Sequence, residues 1–231
     1  MRLAFLHIGH DLSIPTIMVA SVRRHMPDID IVQMTEPTTP SVPGITRRAE
    51  QPYGDEGLMD YRLRHLSLLG DGPLISLDTD VIVQDDLRTV FAQSFDVALT
   101  RRYAPLMIGG KDIVAEQPYN AGVMFSRASG FWLDAQAHCA CLPVKSRKWF
   151  GEQLAIAVIA GKGGYDVLEL DCATWNCSPE DEDEDVSHAK AVHYKGARRK
   201  PWMRNRGFLD MVALPAIRAA SGRGGELWQT T

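Results

Sequence analysis

Apolar positions recur along the chain in two alternating rhythms. Residues 3–8, "LAFLHI", are a nearly continuous apolar run and predict a first strand. "IPTIMVASVRRHM" (14–26) repeats its apolar positions at helical spacing, with Pro15 in the first turn, where a missing N–H is tolerated. "DIDIVQM" (28–34) switches to alternation and predicts a strand, whereas "TEPTTPSVPG" (35–44) carries Pro37, Pro40, Pro43 and Gly44 and predicts a loop. In "GLMDYRLRHLSLL" (57–69), Leu58, Met59, Leu63, Leu66 and Leu69 share helical spacing. "PLISL" (73–77) is then a short, fully apolar strand. A short helix (85–91), strands at 96–100 and 120–126, helices at 131–142 and 147–160, and strands at 165–170 and 190–195 complete the reading. Strands alternating with helices predict an α/β sandwich on a mainly parallel sheet. The whole of 1–231 reads as a single domain, with 203–231 as its C-terminal helix and tail.

Composition narrows the function classes. A net charge of −4 and a pI near 6.0 give no global reason to expect a nucleic-acid coat or an anionic membrane partner. No run of 18 apolar residues exists, so no transmembrane segment is expected. The start, "MRLAFLHIGHD", is too short in its apolar part for a signal peptide, and a cytoplasmic location is the simplest expectation. Cys139, Cys141, Cys172 and Cys177 fall in C-x-C and C-x4-C spacings rather than the C-x2-C of structural zinc sites. Reduced thiols packed as small apolar groups are expected instead. The run "PEDEDEDV" (179–186) reads as a solvated loop, since packed like charges repel.

Candidate chemistry begins where "PLISL" meets Asp78 and Asp80. Burying one carboxylate is costly unless it is paired or metal-bound, and here two stand one residue apart. In an extended segment, residues i and i+2 point the same way, so both can face one divalent ion at a strand's carboxyl end. An Asx turn with a solvated carboxylate accounts for the same residues. Further on, "AVHYKGARRKPW" (191–202) places His193 at a strand end, before Gly196 and the cations Lys195, Arg198, Arg199 and Lys200. Neutral imidazole suits Mn²⁺, a glycine lets backbone approach a phosphate, and clustered cations neutralise a diphosphate. A surface histidine in a solvated basic loop is the bland alternative.

"LDTDVIVQDDLRTVF", "YNAGVMFSR" and "HYKGARRKPW", taken in this order and at this spacing, resemble glycosyltransferase family 8. The helix around "DYRL" (60–63) matches that family's donor-contacting arginine helix, and the resemblance spans roughly residues 3 to 202. It implies a GT-A fold and a retaining, metal-dependent hexosyltransferase that uses a nucleotide-sugar donor, with a UDP-sugar expected, and Mn²⁺ (or Mg²⁺). The acceptor is left open among saccharide, lipid-linked glycan, protein and nucleic acid, and the oligomeric state is not implied. Asp78, Asp80 and His193 look like the metal ligands. Arg62, Asp78, Asn120 and Ala121 would approach the donor sugar or its diphosphate, with Gly196 and Lys200 on the phosphates. The catalytic positions would be Glu152 and Gln153. The chain departs from the family at "GEQLA", where Glu152 and Leu154 flank Gln153 in place of two aspartates, and one extra residue sits between Gly196 and Lys200. That insertion leaves Arg199 and Lys200 as competing phosphate contacts. Rival readings are a catalytically silent nucleotide-sugar-binding module and a phosphatase of the haloacid dehalogenase type, whose first motif is also a strand ending in D-x-D. The strip "KGARRKPWMRNR" with Trp202 also has the cations and ring that a nucleic-acid acceptor needs.

Overall fold

A computed structural model of the chain describes residues 1–54 and 56–205. The predicted C-terminal helix and tail therefore lie outside the described residues from position 206 onward. The chain runs β1 (Arg2–Leu6), α1 (Ser13–His25), β2 (Asp30–Thr35), β3 (Arg47–Glu50), α2 (Leu58–Leu68), β4 (Leu74–Leu77) and β5 (Val81–Val83). A 3-10 helix (Leu87–Ala92) leads to β6 (Val97–Arg101), the hairpin β7 (Met107–Ile108) and β8 (Lys111–Asp112), and β9 (Tyr119–Ser126). Then come α3 (Ser129–Ala140), α4 (Val144–Trp149), α5 (Gly151–Gly161), β10 (Val167–Asp171), α6 (Cys172–Trp175), β11 (Ala191–His193) and α7 (Lys200–Asn205).

Seven strands form one sheet in the order β10-β6-β9-β4-β1-β2-β3. All neighbours are parallel except β9, which runs against both β4 and β6. Alternate residues of β1 feed opposite sides of the sheet: Leu3 and Phe5 join a core with Ile17, Met18 and Val22 of α1, while Ala4 joins one with Leu63, Leu66, Trp132 and Ile156. The sandwich is thus two helical layers on one mainly parallel sheet, as the alternation predicts.

Four local differences follow from physical causes. β3 is an edge strand of sequence "RRAE", and its charges hide it from any apolar pattern while they discourage a further strand from pairing. The predicted helix over 147–160 is two helices, because the backbone leaves the helical region at Phe150 (φ −120°). The strand predicted at 190–195 shortens to β11 and stays out of the main sheet, pairing antiparallel with β5. The short helix predicted over 85–91 is 3-10 in type, capped by Asp86, which accepts a hydrogen bond from the Arg88 N–H at 2.9 Å.

This topology sets up the site. Because β9 is antiparallel, its first residues lie at the carboxyl ends of β4 and β6, with Leu77 opposite Val123 and Thr100 opposite Asn120. The β5–β11 ladder pairs His193 with Val81 and so brings it beside Asp80.

Candidate metal and donor site

The two aspartates lie in the turn between β4 and β5, not in an extended segment. Same-face alternation therefore does not bring them together; the histidine does. His193 Nε2 lies 3.1 Å from Asp80 Oδ1 and 3.5 Å from Asp78 Oδ2. One ligand atom from each of the three residues falls within 4.8 Å of the others, and no other such cluster occurs among the described residues. Tyr194 N–H donates to the Asp80 carbonyl at 2.8 Å, and Asp78 N–H to the Gly122 carbonyl at 2.9 Å, which pins the turn to both neighbouring strands.

The other face of the imidazole is fixed by a residue that sequence reasoning missed. His193 Nδ1 lies 3.0 Å from Asn176 Oδ1, and the Asn176 amide donates to Thr100 Oγ1 (2.8 Å) and the Asn120 carbonyl (3.2 Å). With its NH₂ so engaged, Asn176 presents only an acceptor, so an Nδ1–H donates to it and Nε2 is the nitrogen turned toward the carboxylates. Two hard oxygen donors and a neutral imidazole are a donor set that fits Mn²⁺ or Mg²⁺. Gly122 makes this approach possible, since a Cβ there would stand 2.2 Å from His193 Nδ1.

Behind the aspartates lies Arg62, fully buried on α2. Its Nη1 contacts Asp78 Oδ1 at 2.7 Å and Glu152 Oε2 at 3.3 Å, and its Nη2 donates to Ser76 Oγ (3.1 Å) and the Ala121 carbonyl (3.2 Å). Burial disfavours the guanidinium charge, but Glu152 and Asp78 outweigh it and hold the pKa above its ordinary value. Glu152 is 1% exposed and so faces the arginine rather than open space. Burial lifts its pKa to about 7, with Arg62 opposing the rise and Asp78 adding to it. Gln153 accepts a hydrogen bond from Arg102 Nη2. Asn120 Oδ1 accepts from the Gly122 N–H at 3.1 Å.

The loop after His193 resolves into two roles. Lys200, at the start of α7, points back toward Asp80 (Nζ to Oδ2, 3.7 Å). Burial alone would raise the Asp80 pKa, but His193 and Lys200 outweigh it and hold the pKa low. Gly196 turns the loop in the left-handed region (φ 78°). Arg199 turns the other way, donating to the Pro179 carbonyl and pairing with Glu180 at 3.0 Å, and Arg198 donates to the Glu180 carbonyl at 2.8 Å. Of the two competing cations, Lys200 is the one on the aspartate side. The acidic run read as a freely solvated loop is therefore tied in part to the basic one, with Asn205 donating to Glu182 as well.

Asp85 and Asp86, which follow the D-x-D too closely to be the separate downstream acidic pair of a phosphatase, are held in ion pairs: Asp85 with Lys190, and Asp86 with Arg88. None of the four cysteines forms a disulfide; Cys139 and Cys177 are buried as expected, whereas Cys141 is exposed. Among the described residues, no helix is long and apolar enough to cross a membrane. Beside the Asp78, Asp80 and His193 cluster, with Asn120 and Asn176 in its wall, opens a cavity of about 420 Å³.

No family model matches the sequence, and no curated protein does. Solved structures do match in three dimensions. The galactosyltransferase LgtC, solved in complex with donor and acceptor sugar analogues, shares 13% identity over 95% of this chain and 99% of its own, with a TM-score of 0.59. The glycosyltransferase GlyE of Streptococcus pneumoniae shares 16% over 89% of this chain and 56% of its own, at a TM-score of 0.60. A glycosyltransferase involved in glycosylation of the major capsid of PBCV-1 shares 15% over 88% and 99%, at 0.59. The likeness is one of fold, and it agrees with the mainly parallel sheet and its flanking helices: the chain has the GT-A fold of these glycosyltransferases.

Proposed function

We propose that the chain transfers a hexose from a nucleoside-diphosphate sugar, UDP-linked and metal-dependent, to an acceptor with retention of anomeric configuration. The observation that carries this reading is the convergence of Asp78, Asp80 and His193 at the carboxyl end of β4 in a GT-A sheet. These three residues would hold Mn²⁺ or Mg²⁺, and the bound ion would offset negative charge building on the departing diphosphate. Lys200, 42% exposed at its side chain, is positioned to add a second cation on the same phosphates, and the turn at Gly196 leaves their approach open. Arg62 keeps Asp78 in place from behind and fixes the backbone at Ala121, so the donor sugar would rest against Asn120 and Ala121.

Retention is supported by what stands near the sugar. Glu152 is closed off behind Arg62, so it acts through that arginine and not as a nucleophile. Gln153 is a neutral amide held by Arg102, suited to orienting a hydroxyl but a poor attacking group. Same-face attack by the acceptor through an oxocarbenium-like state then fits better than a covalent glycosyl-enzyme. A cytoplasmic location belongs to the same proposal and is supported by four cysteines that form no disulfide with one another.

The test is a screen of nucleotide sugars for hydrolysis with and without divalent metal. Turnover is expected to stop with EDTA and return with Mn²⁺, and Asp80→Asn is expected to abolish nucleotide-dependent metal binding while the fold is kept. Full donor hydrolysis by the Asp80→Asn protein in EDTA would sink the assignment. The anomeric proton of the product, read by NMR, decides retention: an α-linked donor is expected to give an α-linked product.

A further inference from the structure

Two consecutive residues of α5 are each held by an arginine that also grips β9. Arg62 links Glu152 (3.3 Å) to the Ala121 carbonyl (3.2 Å). Arg102 links Gln153 to the Tyr119 carbonyl, two residues earlier on the same strand. The two bridges differ in charge. Arg62 meets two carboxylates, whereas Arg102 forms no ion pair among the described residues and bonds only neutral oxygens. Its Nη1 donates to the carbonyls of Gln117 (2.8 Å) and Tyr119, and its Nη2 donates to Gln153 Oε1 at 2.5 Å. Its backbone N–H donates to the Pro118 carbonyl at 2.7 Å, so the arginine is fixed to the start of β9 along its whole length.

A guanidinium carries only donors, so of the two ends of the Gln153 amide only the oxygen can face it. That oxygen is then engaged by a cation, which draws off the electron density that an attack on an anomeric carbon would need. The NH₂ has no other partner among the described residues, and the charge behind the carbonyl makes it a stronger donor.

We propose that Arg102 is a positioning residue for transfer: by holding the amide oxygen of Gln153, it makes that side chain a hydrogen-bond donor to an oxygen of the bound sugar. This rests on the glycosyltransferase reading and deepens it, since it gives the orientation of the sugar to a residue outside the Asp78, Asp80, His193 and Arg62 set. Neither side chain makes or breaks a covalent bond.

The contact is read first on the protein alone. Gln153→Leu identifies the Gln153 side-chain amide signal in a ¹⁵N NMR spectrum by its loss. Arg102→Met is expected to shift that signal, and a signal that stays in place overturns the proposal.

The consequence is read on Mn²⁺-dependent hydrolysis of UDP-glucose, UDP-galactose and UDP-N-acetylglucosamine. On whichever of the three is turned over fastest, Arg102→Met is expected to lower kcat about ten- to hundredfold, the loss of one charged hydrogen bond, with UDP affinity by calorimetry unchanged. Gln153→Leu is expected to match it, and the double variant to fall no further, because both changes remove one interaction. Gln153→Glu still accepts from Arg102 but has nothing to donate, so it is expected to fall with Gln153→Leu. That variant leaves the carbonyl contacts of Arg102 alone, and it decides the matter should the melting curve of Arg102→Met show unfolding. Additive losses in the double variant, a full rate in Gln153→Glu, or a loss of UDP affinity in Arg102→Met as large as its loss of rate would each overturn the proposal. If the unaltered protein neither binds UDP with Mn²⁺ nor turns over any of the three sugars, the glycosyltransferase reading itself falls. Turnover without the non-additive pattern overturns the role of Arg102 alone.

Discussion

His193 Nδ1 meets Asn176 Oδ1 at 3.0 Å, and through this contact a residue that touches neither aspartate decides which imidazole nitrogen faces them. Outer partners of this kind typically alter metal affinity about ten- to hundredfold when removed. Asn176→Ala is therefore expected to weaken Mn²⁺ binding in the presence of nucleotide by that order. Calorimetry with Mn²⁺ and UDP measures it, and unchanged affinity would mean that the Asp80 contact alone orients the ring.

Gly122→Ala tests the same ring from the opposite side. A methyl group at 2.2 Å from Nδ1 and 3.1 Å from Asn176 Oδ1 cannot be accommodated without moving the imidazole. Metal binding is expected to be lost while far-UV circular dichroism stays the same, because Gly122 sits in β9 with its ladder to β4 intact. A variant that binds Mn²⁺ normally would show that β9, not the ring, gives way.

Glu152 and Lys200 are expected to separate rate from affinity. Glu152→Gln keeps the shape of the buried side chain but removes the charge opposite Arg62, and transfer is expected to fall about ten- to hundredfold with free nucleoside diphosphate affinity nearly unchanged. Lys200→Ala is expected to weaken the free nucleotide, since it removes a cation from the phosphate side of Asp80. Steady-state rates with the sugar donor and calorimetry with the nucleotide check both. A fall in melting temperature without any change in transfer would reduce Glu152 to a helix-capping acid in the first turn of α5.

His65 gives a pH dependence unrelated to the metal. It is buried on α2 against the edge of Tyr61, and burial, helped by Arg64, lowers its pKa from 6.5 to about 4. The unfolded chain therefore binds a proton between these values that the folded chain does not, so this contribution to stability is present above pH 6.5 and is lost as pH falls toward about 4. Urea unfolding at pH 7.5 and 5.0 is expected to show a smaller loss for His65→Gln than for the unaltered chain. Equal losses would show that His65 does not titrate in this window.

Much of this architecture is written in local pattern, and the parts that are not share a cause. β1, α1, β2, α2 and β4 are legible because each buries a repeating face, and Asp78, Asp80 and His193 stand out as polar residues closing apolar runs. Asn176 does not stand out: it is one amide in "TWNCS", and its partners come from Thr100, Asn120 and His193, which no periodicity links. The pairing of Arg62 with Glu152 spans 90 positions and leaves no trace in either helix. The reversed direction of β9 is invisible for the same reason, since a strand buried on both faces reads alike both ways. One miss was recoverable. Gly109-Gly110 between β7 and β8 is a hairpin signal, with both residues at positive φ.

The hydrogen bonds from Arg198 and Arg199 to Pro179 and Glu180 make the segment after His193 and the acidic stretch before β11 a single mechanical unit. Any swing that lifts Lys200 away from Asp80 must either drag the acidic stretch along or break these links first. On the proposed reading, the release of a spent nucleotide would then depend on a patch of surface away from Asp80, and added salt, which screens exposed ion pairs, would loosen it.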